Sequence, residues 1–381
     1  MWVRAQAQTL KGGGWLARRM SFERLVAELD KSRMLDLILS EPEEFERFYR
    51  EYGDVGLPGS VQGVPLPREP GKLVFAGMGG SAIVGDFVRS LLLDKAGAAV
   101  EVVRDFKLPL HAGKGDVLVA VSYSGNTAET LRCAKEGVER GCYLVAVTSG
   151  GLLERYASKL GAAVFKLPAG RPPRTALAPM LAAALRVLEQ LNLPAPTPKG
   201  ATSGARRVVE EFKADPLGCP PASIAARMKG SIPLIYAYQP YSPVGFRLKT
   251  QINENAKYHA FFAELPEADH NEIMGWEGAL AAKYHPVLVR GSEEPSEIAV
   301  ILDFWKQVFK ERNIEYSEMR SSGGGRLSEL LELLVSVDLA SYVLALLLGV
   351  DPTPVGTISR LKKTMDERLN LERKVAAELG L

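Results

Sequence analysis

The amino-acid sequence predicts an α/β protein with two doubly wound parallel sheets, each covered by helices on both faces. Short apolar runs alternate with amphipathic segments along most of the chain, as expected for successive strands and helices. The run 117–121 is apolar at every position, which is typical of a strand buried on both sides. Three prolines between positions 194 and 198 interrupt the alternation, which then resumes, so we expect two sheets.

The periodicity of the apolar residues predicts the elements in chain order. Helical spacing over 21–52 predicts leading helices, and the Gly- and Pro-rich stretch 53–70 predicts a loop. The strands predicted for the first sheet are 72–76, 100–103, 116–122, 143–148 and 163–167. For the second sheet they are 233–238, 287–290 and 314–319, and the later helices are 180–191, 246–259, 327–348 and 358–379.

These elements divide the chain into five predicted parts. Residues 1–19 are basic, contain three consecutive glycines and lack the apolar core of a secretory signal, so we expect a disordered extension. A start of translation at Met20 and a short ordered arm are the alternatives. We expect a first domain over 20–193, a linker over 194–225, a second domain over 226–350 and a C-terminal helix over 351–381.

Composition limits the classes of partner. Lys and Arg number 47 against 45 Asp and Glu, and a net charge of +2 does not favour nucleic acid. No uncharged apolar run reaches the roughly 18 residues of a membrane span, so we expect no membrane partner. The three cysteines have no regular spacing, which indicates a reducing compartment, here the cytoplasm, and neither disulfides nor a zinc site.

The strongest chemical signal is the segment Ser-Tyr-Ser-Gly-Asn-Thr at 122–127, between an apolar strand and a helix. The hydroxyls of Ser122, Ser124 and Thr127 can all donate to one phosphate, and amides at the start of the helix can complete the site. No lysine of a nucleotide P-loop and no carboxylate pair for Mg²⁺ is nearby, so we expect no metal and no cofactor. The alternative is that Ser124 and Thr127 only cap the helix.

A second glycine-rich turn, Gly77-Met78-Gly79-Gly80-Ser81, also joins a strand to a helix. Its glycines allow a ligand to approach the backbone closely. A dinucleotide site is the alternative, but it requires an acidic residue at the end of the next strand, and Glu101 stands at the start of that strand. Two such turns at one sheet favour a ligand crevice at the strand ends.

Four segments in this order resemble the bifunctional phosphoglucose/phosphomannose isomerases of archaea and some bacteria, within the sugar isomerase (SIS) superfamily. They are the turn 77–81, the loop 122–127, Asn253-Glu254-Asn255-Ala256-Lys257, and His270-Asn271-Glu272. The resemblance covers about residue 35 to the C-terminus. It implies an enzyme that interconverts glucose 6-phosphate and mannose 6-phosphate with fructose 6-phosphate, holding a small sugar phosphate without metal. Ser81 and the three loop hydroxyls would bind the phosphate, and Gly79 and Gly80 the substrate.

By this resemblance Glu254 is the base that moves a proton between C1 and C2 through a cis-enediol. His270 would open the sugar ring, for which an imidazole that titrates near neutral pH is suited. In the family this histidine comes from the neighbouring subunit, which implies a homodimer. An exposed helix carboxylate and an ordinary surface histidine are the respective alternatives.

Three further residues follow from the resemblance. Arg174 would stabilise the enediolate, with Arg171 as a rival. Lys362 would contact the substrate, with Lys363 as a rival. Thr353, for which Thr357 competes, would leave room around C2 so that mannose as well as glucose phosphates react.

Other functions are open on sequence alone. A sugar-phosphate-binding SIS regulator without catalysis would keep the loop 122–127 and lack Glu254 and His270. An amino-sugar isomerase of the same superfamily usually carries an amidotransferase domain, for which this chain has no room. A nicotinamide-dependent dehydrogenase is disfavoured by the missing acidic residue.

Overall fold

A computed structural model describes residues 15–95 and 97–381, and the chain divides into two compact units. We call Glu43–Thr197 with Val355–Leu381 the first-sheet unit. We call Pro198–Pro354 with the described residues up to Pro42 the second-sheet unit. The chain passes between the units within the proline-rich segment 194–198, where the sequence predicts a hinge.

The strands of the described residues form two parallel sheets and one short hairpin. They are β1 (Ser60–Val61), β2 (Val64–Pro65), β3 (Lys72–Ala76), β4 (Ala99–Val103), β5 (Val117–Ser122), β6 (Tyr143–Thr148), β7 (Ala163–Lys166), β8 (Ile232–Ala237), β9 (Phe261–Glu264), β10 (Tyr284–Arg290) and β11 (Ser317–Arg320).

The helices of the described residues surround these sheets, and several short 3₁₀ turns link them. They are α1 (Trp15–Leu29), α2 (Met34–Leu39), α3 (Glu41–Glu51), α4 (Ile83–Leu91), α5 (Ala128–Glu139), α6 (Gly151–Lys159), α7 (Leu177–Gln190), α8 (Ser203–Ala214), α9 (Pro220–Met228), α10 (Ser242–Asn255), α11 (Ser296–Glu311), α12 (Arg326–Leu347), α13 (Gly356–Leu369) and α14 (Leu371–Glu378).

The first sheet has the order β4-β3-β5-β6-β7 and is parallel throughout. Its strands β5 and β6 are buried at every position, because α5 packs on both and further helices cover the sheet. At the centre, Phe75 of β3 pairs with Val102 of β4 and Val119 of β5. The predicted parallel α/β architecture is confirmed here.

The second sheet has the order β9-β8-β10-β11 and is also parallel, with Leu288 of β10 paired to Tyr236 of β8 and Glu318 of β11. This order repeats β4-β3-β5-β6 of the first sheet, so β10 is the topological equivalent of β5. In a doubly wound fold ligands bind outside the carboxyl ends of such strands. Equivalent loops of the two units can therefore be compared directly.

The core of the second-sheet unit is α12, a single helix where the sequence left open one helix or two. Its length and composition would suit a membrane span, but 94% of its most apolar window is buried inside the protein. It packs against α8, α9 and α10. The burial therefore identifies α12 as a core helix.

The predicted domain boundaries differ from these units in two places. The segment 194–225, expected to be a linker, contains α8 and most of α9, both of which pack on α12. The leading helices α1 and α2 belong to the second-sheet unit, since the Tyr342 hydroxyl of α12 donates to Asp30 Oδ2 at 3.0 Å. Most of the predicted extension 1–19 lies outside the described residues, although α1 begins at Trp15.

Smaller differences concern single elements. The C-terminal segment forms two helices, α13 and α14, where one was predicted. The sequence did not predict β9 or α11. Helix α10 ends at Asn255, four positions before its predicted end, so Glu254 is the second-last residue of the helix.

Candidate functional site

The loop after β5 is held by its own hydroxyls. The buried Ser122 hydroxyl donates to Thr127 Oγ1 at 2.9 Å and accepts from the Gly125 amide at 3.1 Å. The exposed Ser124 accepts from the Asn126 amide at 3.2 Å. Although Thr127 stands at the N-cap position of α5, its side chain makes no capping hydrogen bond. The simple capping alternative therefore fails for Thr127, and the first amides of α5 are available to an anion.

The glycine of this loop is required by the next strand-to-helix turn. Gly125 has φ +70°, and a Cβ there would lie 1.7 Å from the carbonyl oxygen of Gly150. The Asn126 side chain accepts from the Leu152 amide at 2.9 Å, which attaches the loop to the start of α6. The backbone of the loop is thus fixed by the strand-to-helix turn that follows β6.

The turn 77–81 touches the loop after β5. The buried Ser81 hydroxyl accepts from the Tyr123 amide at 3.3 Å. A Cβ at Gly77 would lie 2.9 Å from the Val121 carbonyl oxygen, so the two turns meet through bare backbone. The structure therefore brings Ser81 and the loop 122–127 together, as the sequence predicted for a crevice at the strand ends.

The arginine segment packs against the same turn. A Cβ at Gly80 would lie 3.3 Å from Arg174 Cα, whereas Gly79 has φ +51° and open space around it. Arg174 is buried. Its rival Arg171 is already engaged, since its guanidinium donates to both carboxylate oxygens of Glu44 at 2.5 and 2.7 Å. This ion pair gives Arg171 a structural role, and the contact with Gly80 places Arg174 beside the turn 77–81.

Glu254 is half-buried near the end of α10, between two asparagines with structural roles. The Asn253 amide donates to the Tyr258 carbonyl at 2.9 Å and closes the turn that follows the helix. The Asn255 amide, fully buried, donates to Ser341 Oγ of α12 at 3.0 Å. Both neighbours therefore fix the backbone at the end of the helix, from which the half-buried Glu254 side chain extends.

Lys257 is a residue that the sequence argument quoted in a motif but gave no role. It follows α10 with φ +51°, and its ammonium group donates to the carbonyls of Asp351 and Pro352 at 2.7 and 3.0 Å. The Thr353 amide in turn donates to Asp351 Oδ1 at 2.8 Å. Lys257 therefore links the segment that carries Thr353 to the end of the helix that carries Glu254.

His270 is exposed, in a segment after β9 that its neighbours anchor. Asp269 accepts from Trp305 Nε1 at 2.6 Å, and Glu272 accepts from the Tyr236 hydroxyl at 2.8 Å. The residues on either side thus hold the segment, while the imidazole points outward.

Lys362 lies on α13, where the structure shows no buried side chain. It is exposed, as are its rival Lys363 and the alternative threonine Thr357. Lys363 lies 3.7 Å from Glu367 on the same helix. A pair between two such exposed side chains contributes little, so it does not separate the two lysines, and Lys362 stays a prediction.

The second-sheet unit has a pocket of about 620 Å³ at the carboxyl ends of β8 and β9. Its lining includes Glu264, Glu267 and Glu272. Their charge is opposite to the charge that a phosphate requires, so we do not assign the phosphate to this pocket. In the described part of the chain no group of three or more His, Cys, Asp or Glu side chains is arranged to hold a metal ion.

Comparison with known proteins gives two family matches, one in each half. Residues 68–183 match the SIS domain, and residues 219–365 match the bacterial phospho-glucose isomerase C-terminal SIS domain.

Individual relatives span both halves. The chain is 32% identical over 295 residues to the bifunctional phosphoglucose/phosphomannose isomerase of Aquifex aeolicus, covering 77% of this chain and 90% of that protein. It is 31% identical over 248 residues to the D-glucosamine-6-phosphate 4-epimerase of Sulfolobus acidocaldarius, covering 64% of this chain and 76% of that protein. Among solved structures, a hypothetical protein of Thermus thermophilus covers 96% of both chains with a TM-score of 0.67 at 15% identity, which supports the fold.

Proposed function

Because the chain belongs to the family of bifunctional phosphoglucose/phosphomannose isomerases, we propose that it interconverts glucose 6-phosphate and mannose 6-phosphate with fructose 6-phosphate. The observation that carries the proposal is the position of Glu254. Its carboxylate is half-buried at a helix end that Asn253 and Asn255 hold in place. A proton-transfer base must be held in place relative to its substrate, and a helix end anchored on both sides of Glu254 supports that role.

The phosphate of the substrate binds at the loop after β5 in this proposal. Ser124 is exposed there, and Ser122 and Thr127 order the loop through their mutual hydrogen bond. Ser81 supports the loop through the Tyr123 amide. Gly79 leaves the backbone of the neighbouring turn open to the substrate, and Gly80 allows Arg174 to lie close beside it. Hydroxyl groups and amides suit a phosphate monoester that is held and not transferred.

The chemistry moves one hydrogen from C2 to C1 and one proton from O2 to O1. The Glu254 carboxylate removes the proton from C2 of the open-chain aldose while O1 gains a proton, which gives a cis-enediol; it then delivers a proton to C1 while O2 loses its proton, which gives the ketose. The Arg174 guanidinium stabilises the negative oxygen that develops in between. Lys362 contacts the substrate, and Thr353 leaves space at C2 for either epimer. We propose that these steps need neither metal nor cofactor.

Ring opening is assigned to His270, which passes a proton between O1 and O5 and comes from the partner subunit of a homodimer. The exposure of the imidazole on an anchored segment supports this role, because a residue that acts on another subunit must face outward. We propose the cytoplasm as the location, since the three cysteines are buried and free.

A coupled assay of fructose 6-phosphate formation from both aldose phosphates in the presence of EDTA tests the activity. We expect Glu254→Gln to lower kcat by about 10³-fold with unchanged thermal unfolding, since general base catalysis contributes roughly 10²–10⁴. Glu210→Gln, at an exposed glutamate of α8, is the matched control and should keep full activity. Turnover in the Glu254 variant close to that of the unmodified chain would refute the role of the base.

Deuterium incorporation distinguishes the mechanism. In heavy water the proton held by the Glu254 carboxyl exchanges with solvent in competition with its transfer to C1, so part of the product should carry deuterium at C1. Product and recovered substrate both entirely without deuterium would favour direct hydride transfer and would count against the enediol.

Mixing two inactive variants tests the shared site. If His270 acts across a dimer, Glu254→Gln and His270→Ala subunits form heterodimers with one intact site, and about a quarter of the activity returns after random exchange. If both residues act within one subunit, mixing restores nothing.

A second candidate is epimerisation at C4 of an amino-sugar phosphate, because a relative of that activity matches with similar identity over a shorter segment. Incubation with glucosamine 6-phosphate and analysis of C4 configuration separates the two. We expect no epimer, together with rapid conversion of glucose 6-phosphate.

A further inference from the structure

The loop after β10 occupies the same position in the second sheet as the phosphate loop in the first. Both follow the second interior strand of equivalent strand orders, and both lead into a helix, α5 or α11. The loop after β10 also carries a glycine and a serine, Gly291 and Ser292. If position in the sheet were the only criterion, the loop after β10 would be predicted to bind a second anion.

A carboxylate of the protein itself fills this position. Glu329, in the first turn of α12, is fully buried. Its Oε2 accepts from the Ser292 amide at 2.7 Å and from the Tyr241 hydroxyl at 2.8 Å. The hydroxyls of Ser292 and Ser321 donate to the same carboxylate.

These donors come from the carboxyl ends of three adjacent strands. Tyr241 follows β8, Ser292 follows β10, and Ser321 follows β11. Gly291 is required by this arrangement, because a Cβ there would lie 2.0 Å from the Tyr241 ring. The site is thus assembled around one point and is not a chance contact between neighbours.

A second carboxylate extends the same pattern one turn along α12. Glu332 accepts from the Ser322 amide at 3.1 Å and from the Ser322 hydroxyl at 2.7 Å. The Arg207 guanidinium also donates to Glu332, at 2.9 Å. Hydroxyls, an amide and a guanidinium are the groups that hold oxyanions in proteins.

Glu329 is ionised in this environment. Burial raises its pKa, but the hydrogen bonds from Ser292, Ser321 and Tyr241 outweigh that effect and hold the pKa below its usual value. The group at the centre of the donors is therefore an anion.

We propose that the loop after β10 is an oxyanion site permanently occupied by the Glu329 carboxylate, so that the chain binds phosphate at the loop after β5 alone. The second-sheet unit has hydrogen-bond donors like those of a phosphate site, but the Glu329 carboxylate already occupies them. Phosphate binding at the loop after β5 rests on the proposed function. Occupation of the loop after β10 by Glu329 is independent of it.

Calorimetric titration of the unmodified chain with inorganic phosphate is the first test. We expect one phosphate per chain, and Ser124→Ala should weaken this binding. Two phosphates per chain would overturn the inference. Absence of any binding would contradict the phosphate site of the proposed function and would agree with a filled second site.

The second test empties the site. In Glu329→Ala the atoms removed are those of an acetate ion, so acetate and inorganic phosphate should bind there and raise the melting temperature. We expect acetate at saturation to restore about half of the lost melting temperature, by mass action on the folded state. Glu329→Gln, which keeps the space filled, should respond to acetate and phosphate no more than the unmodified chain does.

Melting curves that respond to acetate and phosphate no more in Glu329→Ala than in the unmodified chain would overturn the inference. If Glu329→Ala does not fold without additives, folding in acetate but not in an equal concentration of chloride is the expected result. Failure to fold in both salts would count against the inference. The phosphate titration of the unmodified chain tests the inference without this variant.

Discussion

The loops after β5 and β10 follow topologically equivalent strands of the two sheets. They differ in the groups that their hydroxyls and amides contact. The loop after β5 leaves Ser124 exposed, and the N-cap side chain of α5 makes no capping bond. The loop after β10 directs its amide and hydroxyl into the protein, onto Glu329. A single carboxylate on a core helix therefore separates the proposed phosphate loop from a loop whose donors serve the protein itself.

Because of this difference, mutations in the two loops should change different measured quantities. In the first-sheet unit the Ser124 hydroxyl is exposed and can donate to a ligand, so its loss should appear in KM. In the second-sheet unit the donors are used by a buried anion, and their loss should appear in the free energy of unfolding. The following predictions test that division, from the largest expected effect to the smallest.

Replacing Gly125 by Ala should have the largest effect. Its φ of +70° and the overlap of a Cβ with the Gly150 carbonyl at 1.7 Å require the loop to move. We expect the free energy of unfolding to fall by about 3 kcal/mol or more, with a loss of substrate affinity. Urea denaturation and KM measure the two effects.

Gly161→Ala is the matched control, because Gly161 has the same φ of +70° with no atom within 4 Å of the added Cβ. Left-handed strain alone should cost about 1 kcal/mol. Equal losses at the two glycines would show that strain, and not contact with the next turn, fixes the loop.

Acid should destabilise the second-sheet unit through His285. This buried imidazole is hydrogen-bonded through Nε2 to Ser317 Oγ at 2.9 Å. Burial, and to a smaller extent the charge of the nearby Arg227, lowers its pKa from 6.5 to about 4, and Glu315 has a smaller opposing effect. The unfolded chain then binds the proton first, so stability should fall as the pH drops from about 6.5 to 4, by about 3 kcal/mol in total.

Urea denaturation at several pH values, followed by a probe in the second-sheet unit, measures this slope. His285→Gln should be less stable at neutral pH but should lose the dependence between about pH 4 and 6.5. An unchanged slope in the variant would assign the acid sensitivity to other groups.

Two serine substitutions should have opposite signatures. Ser124→Ala should raise KM about tenfold without changing stability, since the residue is exposed and one hydrogen bond to a charged ligand is lost. Ser292→Ala should leave KM unchanged and lower the free energy of unfolding by about 1–2 kcal/mol, because Glu329 loses a buried donor. A loss of stability in Ser124→Ala, or a raised KM in Ser292→Ala, would contradict the difference between the two loops.

The smallest expected effect is the reaction of the cysteines in the native chain. Burial raises the pKa of Cys133 to about 12, and those of Cys142 and Cys219 to about 11, so thiolate is scarce and iodoacetamide should react very slowly. In urea, Cys219 reports opening of the second-sheet unit, and the other two report opening of the first-sheet unit. Rapid native alkylation at any of them would show local opening.

Strand periodicity predicted much of the fold, and β6 was predicted at its observed bounds, because a strand buried on both faces is apolar without interruption. The edge strand β9 was missed, since none of its residues is fully buried. Helix α9 was hidden by Pro220 and Pro221, which read as a break although proline is tolerated in the first turn of a helix.

The site was predictable as motifs but not as contacts. The segments around Ser122 and Glu254 could be found because their residue types are unusual at those positions. The pairing of Arg171 with Glu44, 127 positions apart, has no local signal, nor does the grouping of Tyr241, Ser292 and Ser321 around Glu329. Such contacts depend on which loops the sheet order brings together.

Helix α13, in which no side chain is buried, has a consequence for how the sequence around Lys362 can vary. Its surface positions are under little constraint from packing, so substitutions there should be nearly silent for folding. An alanine scan of this helix should therefore report ligand contacts almost directly, without the correction for misfolding that a core helix such as α12 requires.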